Sequence, residues 1–558
     1  MKPRKTPPSD PASADMARRR GSLALLSIAA LAGAGTMVVE LAAVRVLAPW
    51  FGTSAAVWTN VIGVVLLALA LGYLLGSRLA ARPAPARSLG LALLIAAAVI
   101  ACLPAAAAPV AEAFRPAGGT LDRAADLLLW GSLAAAFALF APGAVALGCV
   151  GPLAVECVQQ RTEVHAGTAG GAVLFASTLG SLAGTFGTTH VLVPELGVAL
   201  SFYLASATLA AAGLGALALA GGERRGPESA LVLVLVLGGA AAAGFGSFQP
   251  PRPAEGLKVL EEALSPYQAL RVVEGGEGEA RFRQLQVDEG LDSFQSVWRP
   301  EPGLLGPGYY YDYFALPLGW SAPEEGWRVM VLGLGAGSAW RVLEGVAPAG
   351  LELVLHGVEL DPEAVALARR WMDLPADDAR HRSWVGQDAR AVLATSEERY
   401  DQLVLDTYAH QMEVPAHLST IEFFRELREH LLPGGWLTIN IGGFGLEDPV
   451  VRAIAGTAAE AFGGRALVLR VPFSRNCVAY LRRDAEPAGP GDSGWAIHGN
   501  PELAGLLGPL ELEGASGHLG SGAGEHLTDD RNPIEVLQRE SIALAARRLA
   551  RLGGGERP

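Results

Sequence analysis

Apolar positions run almost unbroken through the first 250 residues and then give way to short, alternating patches. Seven runs come near the roughly 20 residues that a helix needs to cross a bilayer: about 22 to 48, 56 to 80, 89 to 113, 125 to 152, 168 to 192, 197 to 220 and 229 to 247. Small residues recur inside them at helical spacing, as in Gly72 and Gly76 or Gly180 and Gly184, which lets two helices approach closely. After Gln249-Pro250-Pro251-Arg252-Pro253 the pattern changes. Tyr267 to Val273 and Phe282 to Val287 alternate around Gly275-Gly276-Glu277-Gly278, a β-hairpin pattern. From Arg328 onward apolar strands alternate with amphipathic helices, as in a doubly wound parallel sheet. Ser419 to Leu432 reads as one such helix, with Ser419 and Glu422 as a capping box and Pro433-Gly434-Gly435 as its stop.

This pattern sets the expected divisions: a disordered basic tail over 1–21, a transmembrane helical domain over 22–248, a linker over 249–258, a β-rich part over 259–320, a nucleotide-binding domain over 321–485 and a C-terminal extension over 486–558. Composition agrees with a membrane half. Hydrophobic residues make up 51% of the 558 positions, charged residues 18%, and the mean hydropathy is +0.31. A cleaved signal peptide is the competing reading of the start, but the first apolar run exceeds signal-peptide length and others follow. Arg18 to Arg20, then Arg78, Arg82 and Arg87, then Arg161, then Arg224 and Arg225 fall in alternate connections, so those connections and the N-terminus are expected to be cytoplasmic. Seven full spans would then put the soluble half outside, unless one run is re-entrant or split near Pro142 or Pro194. Glu40, inside the first run, fits either a substrate or proton site or a buried polar contact. Glu156 is placed near a span end, and His165 and His190 read as structural.

The net charge of −13 leaves no basic excess for neutralising phosphates, so no nucleic-acid partner is expected. Cys102, Cys149, Cys157 and Cys477 form no ligand spacing, and no metal is expected.

Candidate chemistry gathers at strand ends. Val329 to Leu332 runs into Gly333-Leu334-Gly335-Ala336-Gly337, three alternate glycines that allow a tight turn and close approach of a nucleotide. The next strand ends in Glu359, about 20 residues beyond the loop, where an acid can accept from both ribose hydroxyls. Asp361-Pro362 then reads as a helix cap. Asp388, in Gly386-Gln387-Asp388-Ala389-Arg390, stands where it could accept from an adenine amino group, and the strand Asp401 to Leu405 ends in Asp406-Thr407-Tyr408. Ligands of open α/β sheets bind beyond the carboxyl ends of the strands, so these three acids are expected to share one crevice. With strands at Trp436 to Ile441, 466 to 472 and 477 to 482, the order fits a class I methyltransferase-like Rossmann domain better than a nicotinamide dehydrogenase.

These residues resemble the spermidine synthase (polyamine aminopropyltransferase) family in its membrane-fused bacterial branch. The likeness is carried by Ser265-Pro266-Tyr267-Gln268, the glycine loop, Val358-Glu359-Leu360-Asp361, Gly386 to Arg390 and Tyr400-Asp401 to Asp406. It extends to Leu47 to Ser54 and Leu527-Thr528-Asp529-Asp530-Arg531-Asn532-Pro533. The resemblance implies a multi-pass protein of the cell (inner) membrane, in contact with the lipid bilayer, carrying a spermidine synthase fold. It implies transfer of an aminopropyl group from decarboxylated S-adenosylmethionine to putrescine or another polyamine. By position, Gln268, Glu359 and Asp388 would hold the cofactor with Gly333, Gly335 and Gly337, Asp406 would be the catalytic acid, and Gln295, Tyr311 and Tyr408 would line the amine. Two departures stand out: Ala336 replaces the acid that pairs with the donor's ammonium, and Ala409 replaces a second acid. Asp288, Glu289, Asp292, Asp529 and Asp530 are candidate substitutes. Methyl transfer from intact S-adenosylmethionine, a polyamine- or nucleotide-responsive transporter or sensor, and an inactive scaffold are the alternatives; monomer or homo-oligomer stays open.

Overall fold

The computed structural model describes residues 11–51, 55–114, 130–220, 254–265, 267–287, 294–408, 414–498 and 500–553. The chain divides into two compact units, with the boundary between Pro251 and Arg252.

The first unit is helical. Five segments among the described residues are long and apolar enough to cross a membrane: Arg18–Ala48, Val57–Ala80, Pro85–Ala113, Ser132–Thr162 and the 54-residue Ala166–Leu219. The expected seven runs are therefore found only in part among the described residues. Runs 168 to 192 and 197 to 220 belong to one segment, and 229 to 247 lies outside the described residues. At 1.5 Å per residue 54 residues far exceed a bilayer of about 30 Å, and the segment folds back. A π-helical stretch, Thr188–Leu196, holds Pro194 and meets Gly197 at φ 76°, a left-handed conformation that glycine adopts without a Cβ penalty. Arg161, just before the segment, donates to the carbonyl of Leu219 at its far end, 2.6 Å away, so both ends return to one side of the unit. Arg18 reaches Glu163 at 3.5 Å on that same side.

Glycine spacing explains the tight packing. A Cβ on Gly184 would lie 2.5 Å from the Ala34 carbonyl, one on Gly180 would strike that of Ala30, and one on Gly76 would lie 2.7 Å from the Cα of Cys149. The first helix begins at Pro11, inside the stretch expected to be a disordered tail. Glu40 is half-buried within it. Pro142 sits in an uninterrupted helix, Ser132–Gly148. His165 caps the helix that follows it, accepting from the Gly167 amide at 3.2 Å.

The second unit holds two sheets. The smaller is antiparallel, with strands β1 (Lys258–Leu264), β2 (Ala269–Gly275), β3 (Phe282–Val287) and β4 (Phe294–Trp298) in sequential order. The larger comprises β5 (Gly326–Leu332), β6 (Glu352–Glu359), β7 (His381–Val385), β8 (Tyr400–Leu405), β9 (Leu431–Gly442), β10 (Arg465–Arg470), β11 (Asn476–Arg482) and β12 (Ser516–Gly520). Their order is β12-β10-β11-β9-β8-β5-β6-β7. Strands β7 to β9 run parallel through β5, and β11, β10 and β12 close the edge antiparallel. The expected C-terminal extension therefore supplies an edge strand of the main sheet.

Helices cover both faces because the central strands are apolar on both. One face packs Trp340, Leu343 and Leu367, the other Phe423, Phe424, Ile454 and Leu527. Full burial of each such side chain contributes about 1.5–3 kcal/mol. The topological switch lies between β5 and β8, which pair side by side while their neighbours lead away in opposite directions, and it opens the crevice at their carboxyl ends.

One cap differs from expectation. Thr420, not Ser419, caps the helix Ile421–Glu429, accepting from the Phe423 amide. Glu422 accepts instead from the Asp529 amide at 3.0 Å, so no capping box forms. The helix stops at Glu429 and Pro433-Gly434-Gly435 fall within β9.

Candidate active site

The crevice is built around a turn that only glycine can make. Gly333, Gly335 and Gly337 have φ values of 89°, 54° and 82°. A Cβ on Gly333 would strike the Asp406 carbonyl, and one on Gly335 would come within 2.6 Å of the Ser296 hydroxyl. The turn is anchored to its neighbours: the Gly333 and Leu334 amides donate to the carbonyl of Val358, and the Asp406 amide to that of Leu332. Ser296 Oγ accepts from the Ala336 amide at 2.8 Å, so β4 of the small sheet lies against the loop. Ala336 is buried there.

Glu359 leaves β6 with both oxygens occupied. Oε2 accepts from the Gly335 amide at 2.8 Å and Oε1 from the Asp361 amide at 2.9 Å. Burial pushes its carboxyl upward, against the pull of these amides. Asp361 caps its helix through Glu363, as read from the sequence, and also accepts from Ser265 at 2.6 Å and Gln268 at 3.2 Å. Gln268, expected to touch the cofactor, therefore has its amide tied to a helix cap.

Asp388 is likewise a cap. Oδ1 accepts from the Arg390 and Ala391 amides, and Oδ2 meets His417 Nε2 at 2.9 Å. Burial pushes this carboxyl up, but the His417 contact and the two amides outweigh it and hold the group below its ordinary value.

Asp406 follows β8. Oδ1 accepts from Asn440 Nδ2 at 2.7 Å and Oδ2 from the Tyr310 hydroxyl at 3.3 Å. Burial pushes its carboxyl to about 7, with Glu359 adding to the rise and the Asn440 and Tyr310 bonds opposing it. A carboxylate so tuned can take a proton near neutral pH. Tyr310 and Tyr311 stack with ring centroids 4.1 Å apart, and burial pushes both phenols up.

Two expected substrate residues serve the scaffold. The Tyr311 hydroxyl donates to the backbone carbonyl of Gln295. Tyr408 donates to the Asn440 carbonyl at 3.1 Å and accepts from the Gly442 amide at 2.6 Å, pinning the end of β9. Asp312 is wholly buried and accepts from the Leu305 and Gly306 amides at 2.7 and 2.8 Å. Burial raises its carboxyl to about 6 despite those amides.

Asp288, Glu289, Asp292 and Ala409 lie outside the described residues. Asp529 takes a paired contact from Arg390, 2.8 Å to each oxygen, and a 2.7 Å bond from Thr420. Asn532 donates to the Ala416 carbonyl and to Ser419. The motif Leu527 to Pro533 thus braces Ala416 and Ser419, just before the helix Ile421–Glu429.

Sequence reading missed Asn440 and Tyr310 as partners of Asp406. For Asn440 a signal existed, a lone amide between Ile439 and Ile441 in a largely apolar strand.

No family model matches the chain. A protein of Bifidobacterium longum described as a probable polyamine aminopropyl transferase is 29% identical over 290 residues, covering 48% of this chain and 62% of that one. The chain thus spans rather less than two thirds of that relative's length. Among solved structures, a probable spermidine synthase from Corynebacterium glutamicum aligns at 20% identity and TM-score 0.39, covering 48% of this chain and 96% of that one. A spermidine synthase from Thermotoga maritima aligns at 15% identity and TM-score 0.31, covering 41% and 74%. Over about half its length, this chain is similar in sequence to a protein described as a probable polyamine aminopropyl transferase.

Proposed function

We propose that the chain is a membrane-anchored aminopropyltransferase that moves an aminopropyl group from decarboxylated S-adenosylmethionine to putrescine or another polyamine, with Asp406 as the base. The observation carrying this reading is the Asp406 carboxylate, held between Tyr310 and Asn440 beside the Gly333 turn, in a chain about half of which is similar to a protein described as a probable polyamine aminopropyl transferase. The cradle suits an adenosyl group: a Cβ-free turn, an acid after β6 for ribose hydroxyls and an acid after β7 for the adenine amino group.

In the proposed step the amine lone pair attacks the methylene carbon next to the sulfonium. The C–N bond forms as the C–S bond breaks, and its electron pair neutralises the sulfur as 5′-methylthioadenosine leaves. The new ammonium loses a proton to Asp406. Alignment supplies most of the acceleration in such a displacement, and a positioned base contributes typically 10²–10⁴-fold. Tyr310, with Tyr311 stacked behind it, forms an aromatic wall suited to a cationic amine.

Methyl transfer from intact S-adenosylmethionine is the second reading, favoured by Ala336: its side chain is buried and carries no charge to meet the donor's ammonium. In both readings the basic end of the helical unit, with Arg18 and Arg161, faces the cytoplasm.

Detergent-purified full chain is offered each donor with a panel of amines, and products are read by mass spectrometry. The proposal expects an acceptor enlarged by one aminopropyl group, with Asp406→Asn at least about a hundredfold slower. A methylated acceptor selects the second reading. Unchanged turnover in Asp406→Asn removes the catalytic assignment.

A further inference from the structure

Asp406 is not held by its own strand alone. Asn440, which is 4% exposed, projects from β9 and donates to Asp406 at 2.7 Å. Its Oδ1 accepts from Asn476 Nδ2 at 2.8 Å, and the Oδ1 of Asn476 accepts from Ser474 Oγ at 2.9 Å. The carboxylate fixes the arrangement of both amides. A carboxylate only accepts, so Asn440 presents nitrogen to it and oxygen to Asn476; Asn476 in turn presents nitrogen to Asn440 and oxygen to the serine hydroxyl. Reversing Asn440 would set like groups against each other at both its contacts, and reversing Asn476 would set its oxygen against that of Asn440, while the Ser474 hydroxyl can donate or accept. The backbone fixes the register: Asn476 pairs with Gly442 across the β9–β11 ladder, diagonal to Asn440. Tyr408 clamps the backbone on both sides, at the Asn440 carbonyl and the Gly442 amide.

We infer that Asn440 is a positioning residue for the proposed reaction, held nitrogen-first toward Asp406 by the relay from Ser474 through Asn476. It fixes which Asp406 oxygen faces the amine and keeps that oxygen a proton acceptor. The inference rests on the reading of Asp406 as the base. The other titratable groups facing Asp406 are Tyr310 and Tyr311 from the turn after β4, Tyr408 and Glu359. All disfavour the ionised carboxylate or are neutral donors to it, and burial alone raises the group. Asn440 is the strongest opposing influence, so its removal moves the titration upward.

The test is the pH profile of kcat/KM for wild type, Asn440→Ala, Asn476→Ala and Ser474→Ala in the full chain. The expected result is an acid limb displaced upward by about one unit or more in Asn440→Ala, with activity regained at high pH. A smaller displacement is expected in Asn476→Ala and the smallest in Ser474→Ala. A merely structural role would lower activity evenly across pH, and a limb unmoved in both Asn440→Ala and Asn476→Ala overturns the inference. Should Asn440→Ala fail to fold, Asn476→Ala and Ser474→Ala decide the matter. Asp406→Asn separates the two levels: full turnover there removes the base, whereas inactivity there with an unmoved limb elsewhere removes only the relay. Were wild type to turn over no amine, the ¹³C-carboxyl titration of Asp406, identified by its loss in Asp406→Asn, reads the inference independently. An unchanged midpoint in Asn440→Ala contradicts it.

Discussion

Asp406 carries opposing demands, since burial penalises its charge while the proposed chemistry needs it ionised. With its folded-state carboxyl raised to about 7 above an unfolded value near 4, the folded state binds the extra proton between those limits. Asp406 therefore favours folding most at low pH, and that contribution is lost as pH rises through about 7. Asp406→Asn is expected to melt above wild type at pH 8, with the gap closing toward pH 4, as calorimetry would show; a constant gap would refute the assignment of the shift. Asp312 offers a contrast. Its replacement by alanine leaves the Leu305 and Gly306 amides without their acceptor, at a cost of about 1–3 kcal/mol, measurable by urea denaturation. Asp361 was legible as a helix cap from the proline that follows it, but Asp312 and Asp529, which hold backbone amides and the tail, were not, because such roles depend on which amides or cations fold up against a carboxylate.

Among the elements, the glycine turn links the sheet to the site. Gly333→Ala forces a left-handed backbone on alanine and drives its methyl into the Asp406 carbonyl, so both stability and donor binding are expected to fall, by about 1–3 kcal/mol in stability. Unaltered donor affinity by calorimetry would show that the turn does not shape the pocket. The turn and the strands that follow it were legible because glycine spacing and apolar alternation are local signals. The partners of Asp406 were not, apart from an amide lying between two isoleucines of a largely apolar strand. Tyr310 comes from a turn almost 100 positions earlier, and its approach is set by how β4 lies against the loop. The tail motif Leu527 to Pro533 was recognised in sequence, but its bracing of Ala416 and Ser419 follows only from the fold; Asn532→Ala is expected to lower the melting temperature while leaving Asp406 chemistry intact, and a selective loss of turnover without destabilisation would contradict this.

For the whole molecule, hydropathy located the apolar helices that the described residues contain. The break between runs 168 to 192 and 197 to 220 falls where the π-helical stretch and Gly197 turn the chain, with Pro194 as the sequence signal. The close glycine contacts at Ala30 and Ala34 predict that Gly180→Leu destabilises the helical unit and leaves the adenosyl crevice unaffected, measurable as reduced thermal stability in detergent with unchanged ligand affinity.

The account depends on one crevice in which Glu359 and Asp388 hold an adenosyl group. Calorimetric titration of 5′-methylthioadenosine into the full chain tests this most directly. Wild type and Asp406→Asn are expected to bind alike, while Glu359→Gln and Asp388→Asn each weaken binding by about tenfold or more. Equal affinity across all four proteins, or no binding to any, would contradict it.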